Sequence, residues 1–405
     1  MLQYLIQRIT KIQVILFCLL FNYFLKAEVD YLGDFSFEGR YFLEDGFFFQ
    51  ENFHSSFTFS PEIYFESEDS KQSFTFKPKL RNDSQDEERD LIDIQELHWV
   101  LTGNVVETRI GIRKEFWGVT ETFHRVDIIN QTDSVESFDG EDKLGQPMIN
   151  ISLETSSGSI DFFALLGSRE RTFAGRFGRL RTPIVVDTDH PIYESGAENK
   201  RMDFAIRWVK FFDNLEIGLS HFSGTTREPE FIEDLSVLTP RLIPKYNLID
   251  QTGLEALYIL GGLAIKLEAI TRSGQKDRFS AITSGFEYTQ IGIFESRLDL
   301  GWIIEFNHDD RVENSPTALG TRLTFNNMAD TQILAGILWN DNTNEKSTFL
   351  EASGRIGDCC KLSLEGIVFS KGNKKSNILD IQKYKSPFEY LENEDFVRLE
   401  FIYYL

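Results

Sequence analysis

The chain has 405 residues, 41% of them hydrophobic and 14% aromatic, yet after its N-terminus no stretch reaches the roughly 18 unbroken apolar residues of a membrane-spanning helix. Asp and Glu number 64 against 42 Lys and Arg, a net charge of −22 that argues against nucleic-acid binding, which needs a basic patch. The 37 phenylalanines are spread thinly among polar residues, which suits strands with one apolar face better than helices.

At the N-terminus, Arg8 and Lys11 precede an apolar run over residues 14–21, and Ala27 suits a cleavage position. Residues 1–27 are therefore expected to be a secretory signal, leaving 28–405 as one domain. From Gly33 onward, segments of about ten residues alternate apolar and polar, which is the mark of a strand with two unlike faces. In one such segment Leu298, Leu300, Trp302, Ile304 and Phe306 share a face, opposite Arg297, Asp299, Gly301, Ile303 and Glu305. Strand starts are expected near 33, 55, 71, 92, 105, 147, 159, 202, 214, 251, 262, 279, 294, 317, 331, 347, 361 and 391, about 18 strands, with 16 as the alternative.

The connections alternate in length. Thr102-Gly103-Asn104, Ser156-Ser157-Gly158, Asp213-Asn214 and Gly261-Gly262 are short; residues 117–146, 168–201, 223–249, 307–316 and 371–390 are long. This asymmetry, and aromatics recurring near strand ends, predict an all-β fold: a transmembrane antiparallel up-and-down barrel with short periplasmic turns and long extracellular loops. An even strand count puts both termini in the periplasm.

The adjacent pair Cys359-Cys360 would close a strained ring if bonded, so an unbonded pair in a solvent-side turn is expected. The last ten residues place Val397, Leu399, Phe401, Tyr403 and Leu405 on one face. This resembles the terminal-strand signal read by the outer-membrane barrel assembly machinery, which usually ends in Phe where this chain has Leu405.

The densest polar stretch is the hairpin over residues 92–133. On its second strand Glu107, Arg109, Gly111 and Arg113 share a face against Val106, Ile110 and Ile112. Arg on the lipid face at the bilayer midplane costs roughly 2–4 kcal/mol, so Arg109 and Arg113 should face the lumen. Near Gln95-Glu96 the alternation slips, and a bulge there would re-aim Leu97 and Trp99 outward. The run Gln95-Glu96-Leu97, Arg109-Ile110-Gly111, Phe116-Trp117-Gly118, residues 126–130 (VDIIN) and Asp133 is similar to a porin-like family of proteobacterial outer-membrane barrels, distantly related to alginate-export and phosphate-selective porins. The chain departs from that pattern at Ile112-Arg113-Lys114 and in having Gln131 where the family has Pro. The resemblance implies a barrel with a loop folded near its mouth.

In that loop Trp117, Glu121, His124, Asp127, Asn130 and Asp133 are candidates for an inward constriction. The next loop carries Arg169, Arg171, Arg176, Arg179 and Arg181, a residue type suited to carboxylates and phosphates, or to pairing with the loop's own acids. Asp187-Thr188-Asp189 lacks the full calcium-loop spacing, so no metal is expected. Lumen-facing Arg109, Arg113, Arg207 and Lys266 are expected opposite Glu107, Asp203, Glu268 and Asp299, giving a transverse field. Ser220 and His221 are adjacent on a strand and so point opposite ways; with no P-loop, CxxC or HExxH, neither an enzyme nor a cofactor is expected. The expectation is a porin-like channel for small polar or charged solutes, with lipid, lipopolysaccharide and the assembly machinery as partners; the alternative is a loop-plugged barrel acting as receptor, adhesin or structural protein.

Overall fold

The computed structural model describes residues 28–137, 139–236, 239–312, 315–341, 344–370 and 391–405. The expected signal, 1–27, and the connection 371–390 lie outside the described residues.

Alternation becomes strand almost wherever it occurs. The strands are β1 Glu28–Phe42, β2 Phe53–Glu66, β3 Gln72–Asp83, β4 Leu91–Thr102, β5 Val106–Arg113, β6 Gln146–Thr155, β7 Gly158–Leu166, β8 Val185–Val186, β9 Ile192–Tyr193, β10 Met202–Phe212 and β11 Leu215–Thr225. They continue as β12 Glu230–Asp234, β13 Arg241–Tyr246, β14 Leu248–Leu260, β15 Leu263–Gly274, β16 Lys276–Gln290, β17 Asp299–Asp309, β18 Thr317–Thr324, β19 Gln332–Trp339, β20 Lys346–Ile356, β21 Cys360–Ser370 and β22 Phe396–Tyr404. Eighteen of these form one antiparallel sheet, β1–β7, β10, β11 and β14–β22, closed by pairing of β1 with β22. The other four, β8, β9, β12 and β13, form a small sheet of their own within the loops.

The wall is a transmembrane barrel. Its outer face carries Phe37, Tyr41, Phe57, Phe204, Trp302, Phe401 and Tyr403, all exposed, while Glu38, Arg40, Asp203, Glu268 and Glu305 on the opposite face are buried. Closure removes the open edge that the apolar last strand would otherwise present. Val397, Leu399, Phe401 and Tyr403 all lie on that outer face, with exposed Leu405 just beyond the strand. Short turns such as 213–214 and 261–262 gather at one end with both strand-wall termini; the long connections gather at the other.

Two local features fix the facing. At Gln95 the register against β3 slips, with Lys77 paired to Glu96 and Pro78 to Ile94. This is the bulge the sequence implied, and Pro78, which has no N–H to donate, sits at it. Ile92 points outward before it and Leu101 after it. Gly111, at φ 138°, lies so close to β4 that a Cβ would sit 2.0 Å from the Leu97 carbonyl oxygen.

Three expectations need correction. The strand expected from 294 begins at Asp299, because residues 293–295 form a turn of 3-10 helix. The connection between β15 and β16 at the long-loop end is the single residue Gln275 rather than a long loop, and Gly274 takes φ 106° to make it. Cys359 and Cys360 are joined as a disulfide, because the turn after β20 sets the two side chains side by side.

Candidate functional site

The connection 114–145 leaves β5 and folds into the barrel. Its apolar residues Trp117, Val126, Ile128 and Ile129 are buried against inward-facing Met148, Phe163, Leu165, Phe222, Ile249, Ile270 and Phe279 of the wall. The Trp117 ring meets Phe163 edge-on at 5.5 Å, and the Arg207 guanidinium lies over the ring at 5.5 Å. Burying these side chains stabilises the folded-in loop by about 1.5–3 kcal/mol each.

Two wall carboxylates then hold the loop backbone. Glu268 accepts from the Val119 and Thr120 N–H groups at 2.7 and 2.9 Å, from the Thr120 hydroxyl at 2.6 Å, and from the Val126 N–H at 3.1 Å. Glu305 accepts from the Glu121 and Thr122 N–H groups at 2.7 and 2.9 Å and from the Thr122 hydroxyl at 2.6 Å. A buried carboxylate is tolerated only when its lone pairs are so satisfied, and here the donors are those the loop itself could not otherwise pair. Glu121 reaches Arg322 and, at 3.6 Å, Lys266; Arg125 reaches Asp309 at 3.2 Å.

The rest of the loop is locked from within and behind. Asn130 accepts from the Glu115 N–H at 2.8 Å and donates to the carbonyls of Arg113 and Leu144 at 2.9 and 2.8 Å. Asp127 accepts from the Trp117 N–H at 3.3 Å and pairs with Lys143 at 3.0 Å; burial pushes its carboxyl above the usual range despite that lysine. Asp133 accepts from the Thr172 hydroxyl at 2.8 Å and lies 3.6 Å from Arg81. Burial works against charge on His124, but Glu141 at 3.5 Å, together with Glu268 and Asp127, outweighs it and raises the imidazole pKa. The loop thus spans the lumen from Lys79 on β3, which pairs with Glu136 at 2.8 Å, round to Arg322 on β18.

The six loop candidates are therefore brought together in one inward loop, but in different roles. Trp117, Asp127, Asn130 and Asp133 are interior to it, and Glu121 and His124 lie at its edge in ion pairs with the wall and with Glu141. The wall candidates pair sideways with neighbours rather than across the lumen: Glu107 with Arg109, Arg113 with Glu115 at 2.6 Å, Arg207 with Glu255, and Lys266 with Glu287 at 3.2 Å. Asp203 is enclosed by Arg201 and Arg227, and it accepts from the Thr225 N–H at 2.9 Å. Asp299 stands apart at the short-turn end, accepting from the Gly292 N–H at 2.9 Å and the Asn326 amide at 2.7 Å. His221 bonds Thr252 at 3.0 Å on the outer face.

The second long connection, 167–201, crosses the mouth. Arg169 grips Asp93 at 3.0 Å, and Arg171 donates to Ser134 at 2.7 Å through Nε and to the Tyr246 hydroxyl at 2.9 Å through its N–H. Farther on, Arg179 is sealed by Glu394 at 2.9 Å, by the Asn393 carbonyl at 2.6 Å and over the Phe42 ring at 4.2 Å. Asp86 accepts from the Gly175 N–H at 3.1 Å, and burial lifts its carboxyl to about 6. The arginines are thus dispersed, not gathered as one anion cradle. Asp187 pairs with Arg241 and with His190 at 3.1 Å.

In the wall from β20 to β22, inward Ile367, Phe369 and Phe396 are buried near the long-loop end; farther down the wall, no described residue packs over Glu351. Glu351 on β20 stands directly beside Glu365 on β21 in the register, and Glu365 beside Arg398 on β22 at 3.1 Å. Glu351 is exposed on the inward face, and among the described residues no cation pairs with it. Asp139 and Glu141, on the returning limb of the loop, lie within electrostatic reach of it. None of these acids stood out in the sequence; the signal that could have found them is two Glu at matching inward positions of neighbouring strands.

No protein-family model matches the chain, and no curated protein matches it in sequence. Among solved structures it is similar to a BenF-like porin from Pseudomonas fluorescens Pf-5, at 9% identity, with a TM-score of 0.54 over 94% of this chain and 98% of that one. It also aligns with a loop-deletion mutant of OmpT, an outer membrane protein of Vibrio cholerae, at 8% identity, a TM-score of 0.44 and coverage of 94% and 100%. A mutant of Rh. blastica porin aligns at 11% identity and a TM-score of 0.43, covering 93% of this chain and 100% of that chain. At these identities the likeness is one of fold: the chain is a barrel built like a porin.

Proposed function

We propose that the protein is an outer-membrane porin-like channel for passive diffusion of small polar or charged solutes, with cations preferred over anions. The observation that carries this is the inward loop 114–145, which crosses the lumen of a closed barrel from Lys79 on β3 to Glu268 and Glu305 on β15 and β17. Among the described residues it leaves Glu351 exposed on the inward face, beside Glu365, which pairs with Arg398. Solutes would pass between the limb bearing Asp139 and Glu141 and the wall from β20 to β22. Ionised groups lining a narrow aqueous passage favour counter-ions and disfavour co-ions. Short turns and both ends of the barrel wall would face the periplasm, and the long loops the exterior. The fold of the BenF-like porin supports the barrel part of this reading.

Planar-bilayer recording on the refolded chain tests it. Discrete conductance steps are expected, with a zero-current potential of cation-selective sign in a KCl gradient. A heat-modifiable, folded barrel that stays silent would overturn the channel reading in favour of a plugged receptor or structural barrel.

A further inference from the structure

The outer rim of the wall at the long-loop end holds a groove of about 460 Å³. Its floor is Pro147, Leu166 and Met202, on neighbouring strands β6, β7 and β10. Leu166 and Met202 are paired in the register and exposed on the lipid-facing side. Its roof is the start and end of the connection 167–201, held together by the Ser168 N–H bond to the Asn199 carbonyl at 2.8 Å. From this roof come Arg169, Lys200 and the Ser168 hydroxyl. Arg169 is positioned through Nη1, which donates to both Asp93 carboxylate oxygens at 3.0 Å and to the Gly145 carbonyl at 3.3 Å. The Nε and Nη2 edge of its fork has no partner among the described residues. Lys200 is exposed and likewise has no carboxylate partner there.

An apolar floor continuous with the lipid-facing wall, beneath two cations and a hydroxyl at the height where the wall meets the long loops, matches one kind of occupant. We propose that this groove binds a phosphate-bearing lipid of the leaflet at the long-loop end. Lys200, Ser168 and the free edge of Arg169 hold the phosphate, and an acyl chain lies on Leu166 and Met202. Charge-assisted bonds to phosphate are strong at a membrane interface, and basic pockets on membrane proteins take anionic headgroups for this reason. The inference needs only the membrane barrel and is independent of whether the lumen conducts.

Native mass spectrometry of the full-length barrel, released from micelles doped with a phosphorylated glycolipid or its dephosphorylated counterpart, tests it. The wild type is expected to retain one phosphorylated lipid, and Lys200→Gln to weaken that retention about tenfold, the worth of one charge-assisted contact. Lys71→Gln, at an exposed short turn remote from the groove, should retain as the wild type does, and heat-modifiable gel mobility reports that each variant is folded. Equal retention of the two glycolipids by the wild type, or unchanged retention by a folded Lys200→Gln, would overturn the proposal.

Discussion

Two arcs of the same wall meet the lumen on opposite terms. From β6 to β18 the inward positions near the long-loop end include a buried apolar cluster and two carboxylates, Glu268 and Glu305, whose oxygens are engaged by the backbone of the inward loop. From β20 to β22 the inward positions at the level of Glu351 are Glu351, Glu365 and Arg398, and no described residue of the inward loop packs on Glu351. The strand geometry is the same on both sides, so the difference lies in what was placed on the inward face. Apolar side chains and buried carboxylates attract a loop; solvated carboxylates repel one and leave water in its place.

The sharpest break in that contrast is to free the loop. Glu268→Ala leaves three N–H groups and a hydroxyl without their acceptor, a loss of about 3–5 kcal/mol in loop docking. Single-channel conductance should rise severalfold, and limited proteolysis should cut within 114–145. Glu400→Ala, on β22, should do neither. If Glu268→Ala conducts as the wild type does, the loop is held by its apolar face alone.

How much of this was readable beforehand follows from the range of each interaction. Alternation is local, so the barrel, the facing of Arg109 and the bulge at Gln95 were legible from a few adjacent residues. The small sheet within the loops was not. β8 and β9 are two residues each, too short for any period, and Pro244 argues against a strand at β13. The structure accommodates that proline where β13 passes from its pairing with β8, at residues 241–242, to its pairing with β9, at 245–246. The grip of Glu268 on a loop some 140 residues earlier in the chain leaves no trace in sequence spacing. One clue was present. Met148, Phe163, Leu165, Phe222 and Ile249 put apolar side chains where an aqueous lumen would want polar ones, and that marks where a loop must land.

A smaller effect is expected from the arc around Glu351. Glu351→Gln with Glu365→Gln removes two carboxylates without changing their shape. The cation-to-anion permeability ratio should fall roughly threefold, since charges in a wet passage are partly screened. Arg398→Gln, one strand over, should push the ratio the other way. A KCl-gradient reversal potential that ignores both substitutions would place the passage elsewhere in the lumen.

The smallest effect concerns the latch across the mouth, where the buried carboxyl of Asp86, in the connection between β3 and β4, holds the connection 167–201. Asp86 holds the Gly175 turn, and a Cβ on Gly178 would come within 2.2 Å of one of its oxygens, so the contact is close on every side. Burial lifts this carboxyl from 3.8 to about 6 in the docked state. A proton bound more tightly when docked favours docking in acid: the contribution is fully present below the ordinary value of 3.8 and is lost as pH rises through about 6. Current noise from the mouth loop should therefore be low at pH 5 and grow towards pH 7. Asp86→Asn, which keeps the shape and cannot ionise, should remain at the quiet level throughout. If the variant keeps the wild-type pH trend, the trend belongs to His124, whose charge is lost as pH rises above its ordinary 6.5 and whose pairing with Glu141 steadies the inner loop instead.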